Sequence, residues 1–222
     1  MPEGGLRPLE VSLLGTLPYQ EGLTLQEELV RRRRNVEIPD QLLVLEHPHV
    51  ITFGSSSEKD HLLLSPTERE EMGIELFQVG RGGDVTYHGP GQVVGYPILD
   101  LKPDRKDLHR YLRDLEEVLI LTLQDFGISA GREEGLTGVW VPEGKLAAIG
   151  VRVSSGWITS HGFALNVNPD LSYFSSIVPC GISHRPVTSM ATLLSRQLLP
   201  SDVVPSLIQR FQETFGHSAV VV

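Results

Sequence analysis

Apolar residues recur along this chain at two spacings, every second position and every third to fourth, and the changes between them outline its elements. Residues 8–14 (PLEVSLL) predict an opening strand. LTLQEELVRRRR, from Leu23 to Arg34, takes up the helical spacing and ends in four arginines, cations that face the negative end of a helix dipole. DQLLVLEHPHVITFG (40–54) predicts two short apolar strands broken at Pro48, because proline cannot donate to a ladder. IELFQVG (74–80) and QVVGYPILDL (92–101) predict two more, on either side of a glycine-rich stretch. The clearest helix follows at about 106–126, where Leu108, Tyr111, Leu112, Leu115, Val118, Leu119 and Phe126 share one face and Gly127 stands as terminator.

Beyond it, LTGVWV (136–141), KLAAIGVRV (145–153) and WITSHGFALNV (157–167) are strand-like runs. PEG and SSG join them, short enough for hairpin turns, so this part reads as an antiparallel meander. A last helix is predicted at about 202–215, capped by Ser201, with Val204, Leu207, Ile208, Phe211 and Phe215 as its apolar face. Strands in runs with helices set apart argue for an α+β fold. No repeat, low-complexity tract or Gly/Ser linker interrupts the chain, so residues 1–222 read as a single domain.

Composition narrows the classes. At 222 residues and 40% hydrophobic, the chain can build a core without disulfides or structural metal. One cysteine excludes an intrachain disulfide and fits a reducing compartment. No secretory leader opens the chain and no apolar run reaches about 18 residues, so the expectation is a cytoplasmic protein without membrane contact. A net charge of -9 argues against a general nucleic-acid partner.

Candidate chemistry begins with RGGDVTYHGPGQ, Arg81 to Gln92, which holds four glycines. It matches neither GxxxxGK[ST] nor GxGxxG, so no phosphate cradle of either kind is expected. His47 and His49 stand two apart, but without CxxC or HExxH no metal site is expected. Cys180 lies in SIVPCGIS, where proline and glycine punctuate a loop. It is either a small buried hydrophobe or a nucleophile, and the second needs a base or cation beside it. His88, His161, His184 and Lys145 are the candidates. Lys145 is otherwise an exposed hairpin lysine.

RGGDVTYHGPGQ resembles the signature of the octanoyltransferases of protein lipoylation, the lipoyl(octanoyl) transferase family. LLVLEHPHVITFG, LTGVWVPEGKLAAIGVRV, HGFALNVNPDLSYFSSIVPCGI and VTSM are similar to that family's other blocks, in its order, from about residue 9 to residue 215. The resemblance implies octanoyl-acyl carrier protein as donor. The acceptors it implies are lysines on the lipoyl domains of 2-oxoacid dehydrogenase E2 subunits and on glycine cleavage H protein. It puts the acyl-carrying cysteine at Cys180 and the activating lysine at Lys145. Substrate contacts carry over to Arg81, Gly82, Gly83, Asp84, Val85, Thr86, Tyr87 and His88. Others fall on Ala148, Ile149 and Gly150, and on Gly162, Phe163 and Ala164. The implied fold is the α/β catalytic module shared with biotin and lipoate ligases, with a mixed, largely antiparallel sheet flanked by helices. No cofactor is implied.

The chemistry is self-consistent. Moving an acyl group from one thioester to a cysteine exchanges like for like, and passing it on to an amine is downhill, so no ATP is required. Glycines let backbone approach a slim acyl chain, whose burial is worth roughly 5 kcal/mol at about 0.8 per methylene. Arg81 and His88 serve either the polar end of that slot or the pinning of the loop. An acidic chain needs a local basic patch to meet an acidic carrier, and Arg31–Arg34 or Arg105, Lys106, Arg110 and Arg113 are candidates. The rival readings are an ATP-dependent lipoate or biotin ligase, a Cys–His hydrolase using His88 or His161, and a non-catalytic lipoyl-domain binder.

Overall fold

The computed structural model describes residues 5–178 and 185–222. In chain order the main elements are β1 (Arg7–Thr16), α1 (Tyr19–Arg34), β2 (Asp40–Glu46), β3 (Val50–Phe53), α2 (Pro66–Glu71), β4 (Glu75–Gln78), β5 (Thr86–His88) and β6 (Gln92–Ile98). Then come α3 (Leu108–Asp125), β7 (Gly131–Glu133), β8 (Leu136–Val141), β9 (Gly144–Val153), β10 (Thr159–Asn166), α4 (Met190–Leu194), α5 (Pro200–Phe215) and β11 (His217–Val221).

Eight strands form one sheet in the order β11-β1-β2-β6-β10-β9-β8-β7. β1 runs parallel to both β11 and β2, and the pairings from β2 through β6, β10, β9, β8 and β7 are antiparallel. The fold is therefore α+β with a mixed, largely antiparallel sheet, and the meander is present as β8, β9 and β10. One face is covered by α3 and α5, whose Leu115, Val118, Leu119, Leu207 and Phe211 are buried against Val11, Leu42, Val93 and Leu165. The other face packs Leu29 of α1 against Leu43, Leu45, Val94 and Ile98.

A second sheet, β4-β3-β5, has its own small core of Ile51, Ile74, Val85, Tyr87 and Ile177. The break at Pro48 thus does more than separate two strands: β2 joins the large sheet and β3 the small one. Thr86–His88, inside the glycine-rich stretch, is a strand, because β3 offers it an antiparallel partner.

Two element boundaries differ from the sequence reading. α1 begins at Tyr19, earlier than Leu23, because Tyr19 and Gly22 are buried and hold that first turn in place. α5 is entered through Pro200, and Asp202 accepts the Leu199 amide at 2.8 Å, so Ser201 sits inside the helix and is not its cap. Proline at the first helical position has no N–H to satisfy there. Val203, with Val204 only partly buried, begins the α5 core face, and Leu108 on α3 is 42% exposed.

Two arginines leave the expected docking patch. Arg33 donates to the buried Asp40 at 2.7 Å, and Arg105 is itself buried, bonded to Asp114 at 3.0 Å and to the Thr214 carbonyl at 3.0 Å. No helix among the described residues is long and apolar enough to cross a membrane.

Candidate active site

The small sheet and the glycine-rich stretch close over β9 and β10 and enclose a cavity of about 460 Å³, within the range of small-ligand sites. Its floor is built of small residues on neighbouring strands: Ala148 stands opposite Ala164, and Gly150 opposite Gly162. Its roof is Arg81, Gly83, Asp84, Val85 and Thr86. The two surfaces are close, since a Cβ on Gly150 would lie 3.0 Å from the Gly82 carbonyl oxygen and 3.1 Å from Cδ of Arg81. That close approach is what the bare backbone makes possible.

Arg81 is buried and fastens the roof to β3. Its Nη2 donates to the Thr52 carbonyl at 2.8 Å and to Thr52 Oγ1 at 2.9 Å, while Nη1 donates to the Gly82 carbonyl at 3.1 Å. Gly82 donates its amide to the Val151 carbonyl at 2.8 Å, tying the roof to the floor strand. Asp84 takes the Val85 amide at 2.7 Å and faces His61 Nδ1 at 2.6 Å, a contact too bent to be a hydrogen bond.

Of the residues singled out from the sequence, Arg81, Gly83, Asp84, Val85, Thr86, His88, Lys145, Ala148, Ile149, Gly150, Gly162, Phe163 and Ala164 all line this cavity. Gly82 and Tyr87 do not. Tyr87 points into the core of the small sheet, because strand alternation sends neighbours Thr86 and His88 the other way. There its hydroxyl meets His49 Nδ1 at 2.7 Å and its ring stacks on Tyr173. Cys180 and His184 lie outside the described residues.

One end of the cavity carries imidazoles and phenols: His88, His161, Tyr19 and Tyr96. His88 packs near Tyr19 and His47, and His161 meets Tyr96 edge-on. Burial is the main reason the three histidines titrate low. It brings His88 to about 3, helped by His47 and Arg81 nearby. It brings His47 to about 4 against the opposing bond to the Leu17 carbonyl, and His161 to about 4, with Arg81 and Arg152 adding to the effect. All three are neutral at pH 7.

The other end belongs to Lys145. His161 pairs with Val151, about 20 Å along β9 from Lys145 at roughly 3.3 Å per residue. Lys145 is 9% exposed, and its Nζ lies 5.0 Å from the centre of the Trp140 ring. Its amide donates to the Pro186 carbonyl at 2.9 Å, and its carbonyl accepts from Thr188 at 3.0 Å. The segment 186–188 therefore lies beside the start of β9, just past where the β10 ladder stops. On the other flank of the undescribed residues, Val178 donates to the carbonyl of His61, and His61 lines the cavity.

A buried amide relay ties both ends together. His88 Nδ1–H donates to Gln92 Oε1 at 3.2 Å, Gln92 Nε2 donates to Asn166 Oδ1 at 2.9 Å, and Asn166 Nδ2 donates to the Thr188 carbonyl at 3.0 Å. Tyr19, Tyr96, Gly138 and Trp140 are site residues that the sequence reading passed over. The signal for the last two was their place in the block that contains Lys145, LTGVWVPEGKLAAIGVRV.

Comparison with known proteins agrees with this geometry. Residues 18–212 match the family model for the lipoyl protein ligase A/B catalytic domain. The octanoyltransferase of Solibacter usitatus is 56% identical over 180 residues, 81% of each chain. That of Rubrobacter xylanophilus is 51% identical over 205 residues, 92% of each chain. Among solved structures, a putative lipoate protein ligase from T. acidophilum with bound lipoic acid superposes with a TM-score of 0.77 at 18% identity, covering 99% of this chain and 89% of that one. A biotin protein ligase from Aquifex aeolicus gives 0.57 at 15% identity, covering 93% of this chain and 69% of that one. The ligases share the fold, and the close relatives carry the narrower name: the chain belongs to the octanoyltransferases, within the family defined by the lipoyl protein ligase A/B catalytic domain.

Proposed function

We propose that the chain takes octanoyl from octanoyl-acyl carrier protein and delivers it to a lysine on lipoyl domains in the cytoplasm. The acceptors are 2-oxoacid dehydrogenase E2 subunits and glycine cleavage H protein. The carrier of the acyl group is Cys180, activated by Lys145. The observation that carries this reading is the burial of Lys145 at one end of a cavity with small-residue walls, on the strand that meets residues 186–188, six to eight positions after Cys180 in the sequence.

A lysine ammonium beside the thiol stabilises the thiolate, the reactive species. The Cys180 thiolate attacks the carrier's thioester carbonyl. The carrier's sulfur leaves and takes a proton from Lys145, which becomes a neutral amine. The acceptor lysine, entering as the neutral amine after giving its ammonium proton to water, then attacks acyl-Cys180, its nitrogen gives a proton back to Lys145, and Cys180 departs as thiolate. The enzyme returns to its starting protonation state, the acceptor's ammonium proton goes to water, and no energy source is needed. The acyl tail lies between the Ala148–Gly150 and Gly162–Ala164 strands and the roof Gly83–Thr86.

The histidines speak against the hydrolase reading. An imidazole that titrates near 3 or 4 is a poor proton acceptor for a thiol with an ordinary pKa of about 8.5. The ligase reading is separated by one reaction. Octanoyl-carrier protein and a lipoyl domain, mixed with the purified chain and no ATP, should give octanoylated lipoyl domain. Product only from free octanoate and ATP would assign the chain to the ligases.

A further inference from the structure

The indole of Trp140 is 6% exposed, and its N–H finds no acceptor among the described residues. A stranded buried donor is uncommon, because the group gives up its bonds to water for nothing. Packing alone would be served by phenylalanine, which strands nothing. The tryptophan must therefore do something that depends on its ring. Its face lies under Nζ of Lys145, 5.0 Å from ring centre to nitrogen, within the range of cation–π attraction, for which indole is the strongest of the side-chain rings. The backbone enforces the pairing: Trp140 on β8 and Lys145 on β9 are direct antiparallel partners across the hairpin, next to a register shift between Val139 and Trp140.

We infer that Trp140 is a positioning residue for the transfer reaction, holding the Lys145 ammonium at the end of the cavity by its ring face. This inference rests on the role of Lys145 proposed above. Without the ring, a long flexible side chain loses one of the contacts that orient it, and the ammonium spends less time where the thiol and the leaving sulfur need it. The effect falls on the chemical step. Binding of the carrier protein, which uses the outer surface, is untouched.

The test compares Trp140→Phe and Trp140→Leu with the unaltered chain, each held at a temperature well below its own melting point. Single-turnover formation of acyl-Cys180 from octanoyl-carrier protein is followed by intact mass, and KM for the carrier is measured separately. Phenylalanine keeps a weaker π face and should slow thioester formation about threefold. Leucine, apolar without a π face, should slow it about tenfold or more. KM should stay within about twofold for both. Equal slowing by Phe and Leu would mean that ring volume alone matters and would overturn the inference. So would a Leu variant at full rate, or a loss seen only in KM. Absence of any acyl-Cys180 in the unaltered chain would instead defeat the parent reading.

Discussion

Gly138 and Lys145 share one space: a Cβ on Gly138 would lie 2.8 Å from Cε of Lys145 and 2.6 Å from the backbone oxygen of Ala147. Gly138 also sits at φ +128, which L side chains rarely adopt, and its amide is held by the buried carboxylate of Glu116 at 3.2 Å. Gly138→Ala should therefore destabilise the fold by about 2 kcal/mol and lower kcat at least tenfold by displacing the lysine. Urea unfolding and steady-state transfer check the two parts, and an alanine variant with normal kcat would show that Lys145 has other room.

Ala148 lines the floor of the cavity, so Ala148→Leu should shorten the acyl chain that fits. Competition between hexanoyl- and octanoyl-carrier protein should move toward hexanoyl by about tenfold or more, at about 1–3 kcal/mol per methylene. An unchanged ratio would place the tail elsewhere.

Asp40 is a clamp remote from the cavity. It accepts from Arg33 at 2.7 Å, His217 at 2.8 Å and the Asp100 amide at 3.0 Å, and pairs with the Arg7 guanidinium at 2.7 Å, joining β1, α1, β2 and β11. Burial pushes its carboxyl up, but the bonds from His217, Arg33 and the Asp100 amide, with the charge of Arg7, outweigh it, and the pKa lies below the usual range. A depressed folded pKa gives stability that is full above the unfolded value and lost as pH falls through the folded one. Asp40→Asn should thus cost about 3–5 kcal/mol at pH 7. The gap between variant and parent in urea midpoint should narrow below about pH 4, while kcat stays unchanged.

The three buried histidines are a second source of instability in acid. Their folded values, about 3 for His88 and about 4 for His47 and His161, lie below the unfolded value of 6.5. Their stabilisation is therefore present above pH 6.5 and lost as pH falls toward 4. At pH 5, unfolding should take up about three protons at these sites. Calorimetry in buffers of different ionisation enthalpy counts them, and an uptake near zero would contradict their burial as neutral rings.

Periodicity located the three long helices, α1, α3 and α5, and the β8–β10 meander because those segments carry their own pattern, whereas the short α2 and α4 went unread. The small sheet was harder to see: β5 is three residues long and exists only because β3 pairs with it. β11 follows the left-handed Gly216 and gains its strand character from β1, a partner at the other end of the chain. Lys145 was legible from the block around it. Tyr19, Tyr96 and His161 come to one end of the cavity from α1, β6 and β10, and no local pattern joins residues so far apart. Tyr87 lies off the cavity for a local reason, since a motif assigns neighbours together while a strand sends them to opposite faces.

The central claim is an acyl group resting on Cys180 through the agency of Lys145. Its most direct measurement is the intact mass of the protein after incubation with octanoyl-carrier protein, followed by peptide mapping. The expected result is one octanoyl group on Cys180, discharged when a lipoyl domain is added and absent from Lys145→Ala on the same time scale. Full transfer by a Cys180→Ser variant, or an adduct mapped to any other residue, would contradict it.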